Sequence, residues 1–184
     1  MITHDNALII NHPDTGFISV AGDESCAFLQ SIITANVETL PVNSCRPSAL
    51  LTPQGRILID MMVYRPDTDR FILRCDSKRR DDLFAKLRRY RLRRPIEIAI
   101  EPEVRLFLVI KNKTATQSEK QTLGKILDQL EDAKSVIISC IDSRNPDLGT
   151  HILANSTKIN ATADQIDIWH TARIAAGIPE GPID

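Results

Sequence analysis

The sequence predicts an α+β fold built on antiparallel sheets, and three observations carry that reading. Several strand candidates are joined by tight turns rather than by helices, which is how antiparallel neighbours connect. Helix signals interrupt the strands irregularly, whereas a parallel doubly wound sheet needs regular alternation. The seven glycines are scattered over 184 residues, with no phosphate-cradling loop, no dinucleotide-binding fingerprint and no internal repeat.

Taken in order, Phe17 to Val20 is a short strand, and Asp23 stands where it can cap a helix from Glu24 to about Ile33. Cys26, Phe28, Leu29, Ile32 and Ile33 line one side of that helix. Ser48 to Leu51 and Ile57 to Tyr64 flank Thr52-Pro53-Gln54-Gly55, whose proline at the second and glycine at the fourth position suit a type I turn, so the two runs predict a hairpin. Phe71 to Cys75 is a third strand. A helix begins at Ser77, carries Leu83, Phe84, Leu87 and Tyr90 at helical spacing, and ends at Pro95. Ile96 to Ile100 and Val104 to Ile110 are strands separated by Pro102; a polar linker over Lys111 to Ser118 leads to a helix from about Glu119 to Leu130. Val136 to Cys140 and Gly149 to Leu153 complete the strands. The closing helix runs from Ala163 to Ala176, with Gly177 as its stop and Pro179 beyond.

Composition narrows the function. At 42% hydrophobic residues the chain is long enough to bury a sizeable core, yet aromatics are only 4%, so a flat ligand finds few rings to stack on. The 23 basic and 24 acidic side chains argue against a generic nucleic-acid binder. Charge is nonetheless uneven: Lys78 to Arg94 holds nine lysines and arginines against Asp81 and Asp82. Such a run is first a solvated helix face; functionally it would attract a polyanion, either a polyglutamate tail or a transfer RNA backbone. The four cysteines Cys26, Cys45, Cys75 and Cys140 are widely spaced and read as structural thiols in a reducing compartment. The first eleven residues carry no signal-peptide core, and no apolar run is long enough to cross a bilayer. These readings place the chain in the cytoplasm, with no membrane and no metal; His4, His12 and His151 share no ligand spacing and read as surface residues.

Two constellations could carry chemistry. Asp60 lies in the run Ile57-Leu58-Ile59-Asp60-Met61-Met62-Val63, and a carboxylate with apolar neighbours on both sides is expected to be desolvated unless paired. Gly55 and Arg56 stand beside it at the turn. In the closing helix Trp169 and Arg173 are four residues apart and share a face, while His170 projects elsewhere. Trp169 is a core anchor or a stacking platform; Arg173 can salt-bridge Asp60 or grip a carboxylate ligand bidentately.

Four stretches, in register along most of the chain, resemble the glycine-cleavage T-protein superfamily and in particular its YgfZ-type branch of folate-binding proteins. They are Gly22-Asp23 with Phe28-Leu29-Gln30 and Thr34-Ala35-Asn36-Val37; Thr52-Pro53-Gln54-Gly55-Arg56-Ile57-Leu58; Leu87-Arg88-Arg89-Tyr90-Arg91-Leu92-Arg93; and Arg173-Ile174 with Gly177-Ile178-Pro179. The resemblance implies a mixed domain interwoven with a ferredoxin-like antiparallel sheet and flanking helices, as in the N-terminal part of the aminomethyltransferase fold. The expected division is 1–50 for the first part of the folate-binding domain, 51–155 for the ferredoxin-like unit and 156–184 for the closing helix and linker. Gly55, Arg56, Asp60, Arg91, Arg93, Trp169 and Arg173 are then the expected tetrahydrofolate-binding residues, with Asp60 the one candidate for catalysis.

The implied function is tetrahydrofolate binding in support of iron–sulfur cluster assembly or repair, with iron–sulfur assembly proteins or tRNA-modifying enzymes as partners and self-association as a further expectation. The alternatives are aminomethyl transfer and a non-enzymatic interaction module. Aminomethyl-transferring members carry two consecutive carboxylates on the matching strand, where this chain has Ile59-Asp60; Pro95 stands where the family tends to place a lysine. The YgfZ branch also has a Lys-Gly-Cys-Tyr-x-Gly-Gln-Glu motif shortly after Gly-Ile-Pro, and these 184 residues end before it. The sequence is therefore expected to be the front part of a longer protein and, as it stands, not an active aminomethyltransferase.

Overall fold

The computed structural model describes residues 7–12, 14–111, 135–155 and 166–180. They divide into two compact units, 14–102 with residue 180, and 7–12 with 103–111, 135–155 and 166–179. Each holds one antiparallel sheet, so the α+β expectation holds. The units differ from the expected division at residues 50 and 155. The hairpin that straddles residue 51 continues into strands on either side of it, and pairing rather than chain position defines a sheet.

The unit over 14–102 contains β2 (Thr15–Ala21), α1 (Ser25–Gln30), β3 (Ser44–Leu51), β4 (Ile57–Asp67), β5 (Arg70–Asp76), α2 (Arg80–Arg91) and β6 (Glu97–Ile100). Its sheet has the order β3-β4-β5-β2-β6. Strand residues alternate between faces. Ile18 and Val20 oppose Leu73 and Phe71, and Val63 opposes Leu73, so these residues, with Ile59 and Met61, share one face. Against that face pack Phe28 and Leu29 of α1 and Leu83 and Leu87 of α2, all buried. The opposite face carries Phe17, Ser19, Tyr64, Ile72 and Arg74, buried as well.

Local signals explain most boundaries. The β3–β4 turn closes through Gly55 N donating to Thr52 O at 2.9 Å, with Gly55 at φ 79°, the left-handed position that ends a type I turn and starts a bulge. Asp76 accepts from Lys78 N at 2.7 Å, and a single 3-10 turn over Ser77–Arg79 leads into α2. Asp23 does not cap α1: Glu24 occupies the cap position without a side-chain bond, and the helix is shorter than expected, ending at Gln30. The segment after it turns back instead, and Ile33 forms a bridge to Leu50.

The other unit contains β1 (Ala7–Asn11), β7 (Val104–Lys111), β8 (Val136–Ile141), β9 (Thr150–Asn155) and α3 (Ile166–Ala175), with sheet order β1-β7-β9-β8. The sequence reading missed β1, five residues that pair with β7 far along the chain. The expected helix over 119–130, most of its linker and the first turn of the closing helix fall outside the described residues. Helix α3 ends as its sequence demands. Ile178 N donates to Arg173 O and Gly177 N to Ile174 O, both at 2.9 Å, and Gly177 takes φ 69°, the Schellman arrangement.

Candidate functional site

The β3–β4 hairpin brings Gly55, Arg56 and Asp60 onto one element, and all three are exposed. The expected desolvation of Asp60 is not met. Its sequence neighbours Ile59 and Met61 are 3% and 6% exposed because the pleat sends them into the core face, while the same alternation turns Asp60 to the other face. Apolar residues beside a carboxylate in sequence are thus not beside it in space.

The pleat also places Arg74 on the face of Asp60. Arg74 is the register partner of Met62, two residues along β4 from Asp60, which makes the two diagonal neighbours at roughly 7–8 Å. Arg74 Nη2 donates to Glu180 Oε1 at 2.6 Å, with both side chains nearly buried, a strong charge-assisted bond. Sequence reasoning overlooked this pair. Arg74 had the same signal as Asp60, a charge inside an apolar strand; Glu180 had none. The sheet face therefore presents an exposed carboxylate near a guanidinium already held by a second carboxylate. On the core face, burial pushes the thiol of Cys75 up to about 12, with Asp76 adding to the shift, so it stays protonated and unreactive. All four cysteines are free thiols.

Arg91 and Arg93 lie at the far end of α2 and part company. Arg91 Nη1 donates to Ile96 O at 3.2 Å and ties the helix end to the chain entering β6, whereas Arg93 is exposed and makes no ion pair among the described residues. Replacing Arg91 with alanine is expected to cost about 1 kcal/mol in urea-induced unfolding, the value of one such hydrogen bond. The same change at Arg93 leaves stability within a few tenths of a kcal/mol.

Trp169 and Arg173 belong to the other unit, and both are buried, at 0% and 1% exposure. The Trp169 ring meets His151 edge-on at 6.0 Å and has the Arg144 guanidinium 5.8 Å from its centroid. Arg173 Nε donates to His170 Nδ1 at 3.0 Å and Nη1 donates to Ile178 O at 3.1 Å, so its fork closes the helix end. In this structure the pair anchors the core.

Beneath Trp169 lies a polar cluster that sequence reading did not find. Asp142 follows β8; its Oδ1 accepts from Arg144 N at 2.9 Å and Nε at 3.0 Å, and its Oδ2 accepts from Arg144 Nη2 at 2.7 Å with His151 Nε2 3.1 Å from the same oxygen. Burial acts to raise the Asp142 pKa, but the hydrogen bonds and charges of His151 and Arg144 outweigh it and hold the carboxyl below the usual carboxylate range. His12 and His151, expected at the surface, are 6% and 0% exposed. His151 is the second residue of β9, opposite Leu108 and Cys140, and Trp169 packs edge-on against its ring. A two-residue spacing from Asp142 to Arg144 across a turn is the local signal; His151 offered none.

Two antiparallel sheets with flanking helices make an α+β protein, and its fold is that of an aminomethyltransferase. The glycine-cleavage aminomethyltransferase T of Bartonella henselae superposes with a TM-score of 0.59 over 95% of this chain and 45% of that one, at 16% identity, a likeness of fold alone. The chain belongs to the GCVT N-terminal domain family, whose model matches residues 1–108, and within the glycine-cleavage T-protein superfamily it is of the YgfZ type. It is 27% identical to the mitochondrial iron-sulfur cluster assembly factor IBA57 homolog of Neurospora crassa, over 89% of this chain and 39% of that protein. It is 26% identical to the mitochondrial iron-sulfur cluster assembly factor IBA57 of Homo sapiens, over 91% of this chain and 49% of that protein. The chain thus spans less than half the length of these relatives. No described helix is long and apolar enough to cross a membrane.

Proposed function

We propose that this chain binds tetrahydrofolate and serves iron–sulfur cluster assembly or repair. The observation that supports the ligand most is the hairpin itself: an exposed carboxylate at Asp60, four residues past Arg56 of the exposed Gly55-Arg56 turn. The donor set suits a folate. A carboxylate accepts two N–H groups from a pterin edge, and Arg56, with Arg93 further away on the same unit, suits the carboxylates of a glutamate tail. Bound tetrahydrofolate would supply a one-carbon acceptor; the protein's part would be to fix its orientation. The iron–sulfur role rests on relatives that carry it in their names and align over about nine-tenths of this chain. Free thiols suit a reducing compartment, which we take to be the cytoplasm, while the named relatives are mitochondrial.

Aminomethyl transfer is the lesser reading. Where the transferring members carry a second carboxylate this chain has Ile59, which is 3% exposed and packed in the core. A glycine-cleavage assay with the partner proteins supplied is expected to show no turnover, and robust turnover would reverse the ranking. In cells deprived of this protein, wild type is expected to restore iron–sulfur enzyme activity and Asp60→Asn to fail. Equal rescue by both would remove Asp60 from the account.

A further inference from the structure

The end of α2 carries a leucine that costs the folded chain stability and returns nothing to it. Leu92 has φ 53° and ψ −116°, and Arg94 N donates to Arg91 O at 3.1 Å. This is a type II′ turn with Leu92 at the position that calls for glycine. A side chain held there strains the backbone. Burial does not offset the strain, because Leu92 is 81% exposed. Tyr90, next to the turn, is 42% exposed, although its spacing predicted a place on the buried stripe with Leu83 and Leu87.

Around this leucine stand cations. Arg88, Arg89 and Arg93 are exposed, and Arg89 and Arg93 form no ion pair among the described residues; Arg94 reaches Glu24 only at 3.8 Å. The acidic residues of α2, Asp81 and Asp82, lie in its first turn, where they pair with Arg79, Arg80 and Lys86. The patch thus sets one protruding aliphatic side chain beside an aromatic with a hydroxyl and unpaired guanidinium groups, and tyrosine and arginine are residue types enriched at protein-binding hot spots.

We propose that the Arg88–Arg93 turn is a docking knob for a protein partner that presents an apolar recess rimmed by carboxylates, with Leu92 filling the recess. Charge complementarity sets the rim: Lys78 to Arg94 holds nine basic and two acidic side chains, and unpaired guanidinium groups select carboxylates. A bilayer fits less well, since one leucine gives far less than the apolar insertion that even marginal anchoring takes. An RNA strand would find a single ring to stack on. The proposal does not depend on folate binding.

The test uses the whole chain and four probes: an acidic peptide of interspersed glutamates and leucines, an all-glutamate peptide of equal charge, a single-stranded oligoribonucleotide of equal charge, and phosphatidylserine vesicles. The leucine-bearing peptide is expected to bind most tightly. Leu92→Gly is expected to weaken it roughly tenfold, as loss of one buried leucine implies. Arg89→Glu with Arg93→Glu is expected to weaken both acidic peptides, most at low salt. Leu92→Gly should also raise the thermal midpoint by a few degrees, since glycine relieves the turn. Absent binding of the leucine-bearing peptide, equal binding by Leu92→Gly, tighter binding of RNA or vesicles, or a midpoint that does not rise would each overturn the proposal, as would a wild-type dimer that Leu92→Gly dissolves.

Discussion

Trp169→Ala is expected to destabilise the protein by about 3–5 kcal/mol, the range for deleting a large buried aromatic. The indole is fully enclosed, and its loss removes the surface against which both His151 and the Arg144 guanidinium pack. His151 and Arg144, which meet the ring, are held by Asp142 and cannot readily move into the space. The result should appear in urea unfolding as a lower midpoint with an unchanged slope. A loss under 1 kcal/mol would mean that the tryptophan is not the anchor of its unit and would reopen its role as a stacking platform.

Asp142→Asn is expected to cost roughly 3 kcal/mol near neutral pH, because it leaves Arg144 and His151 without the carboxylate that satisfies both. The pH dependence has a definite sign. The Asp142 carboxyl is held below its ordinary range in the folded state, so its stabilisation is fully present above about pH 4 and is lost as pH falls through the lower folded value. The stability gap between wild type and Asp142→Asn should therefore be constant from about pH 5 to neutral and narrow on further acidification. A gap that widened as pH fell below about 4 would contradict the assigned charge state.

Both effects arise in a region that the sequence read poorly, and the reasons are physical. Elements with local signals were legible: the Pro53–Gly55 turn, the Gly177 stop, the stripe of Leu83 and Leu87 on α2. What depended on distant pairing was not. Strand β1 has meaning only against β7, and His151 is packed against Trp169, 18 residues further along the chain. Asp60 was found, but its environment was misjudged, since linear neighbours were treated as spatial ones; one residue of register separates Ile59 in the core from Asp60 outside it. Arg74 could have been found by that argument. Its partner Glu180, 106 residues away, could not. Leu92 sat in full view within a family-like stretch, yet only the backbone angles show that it occupies a glycine's place.

The central claim is that the hairpin carboxylate holds a folate, and the most direct test is calorimetric titration of tetrahydrofolate into wild type and Asp60→Asn. Saturable binding is expected in wild type and a loss of roughly tenfold or more in the variant, the worth of a charge-assisted hydrogen bond. Identical isotherms for the two proteins, or no heat in wild type at millimolar ligand, would contradict it.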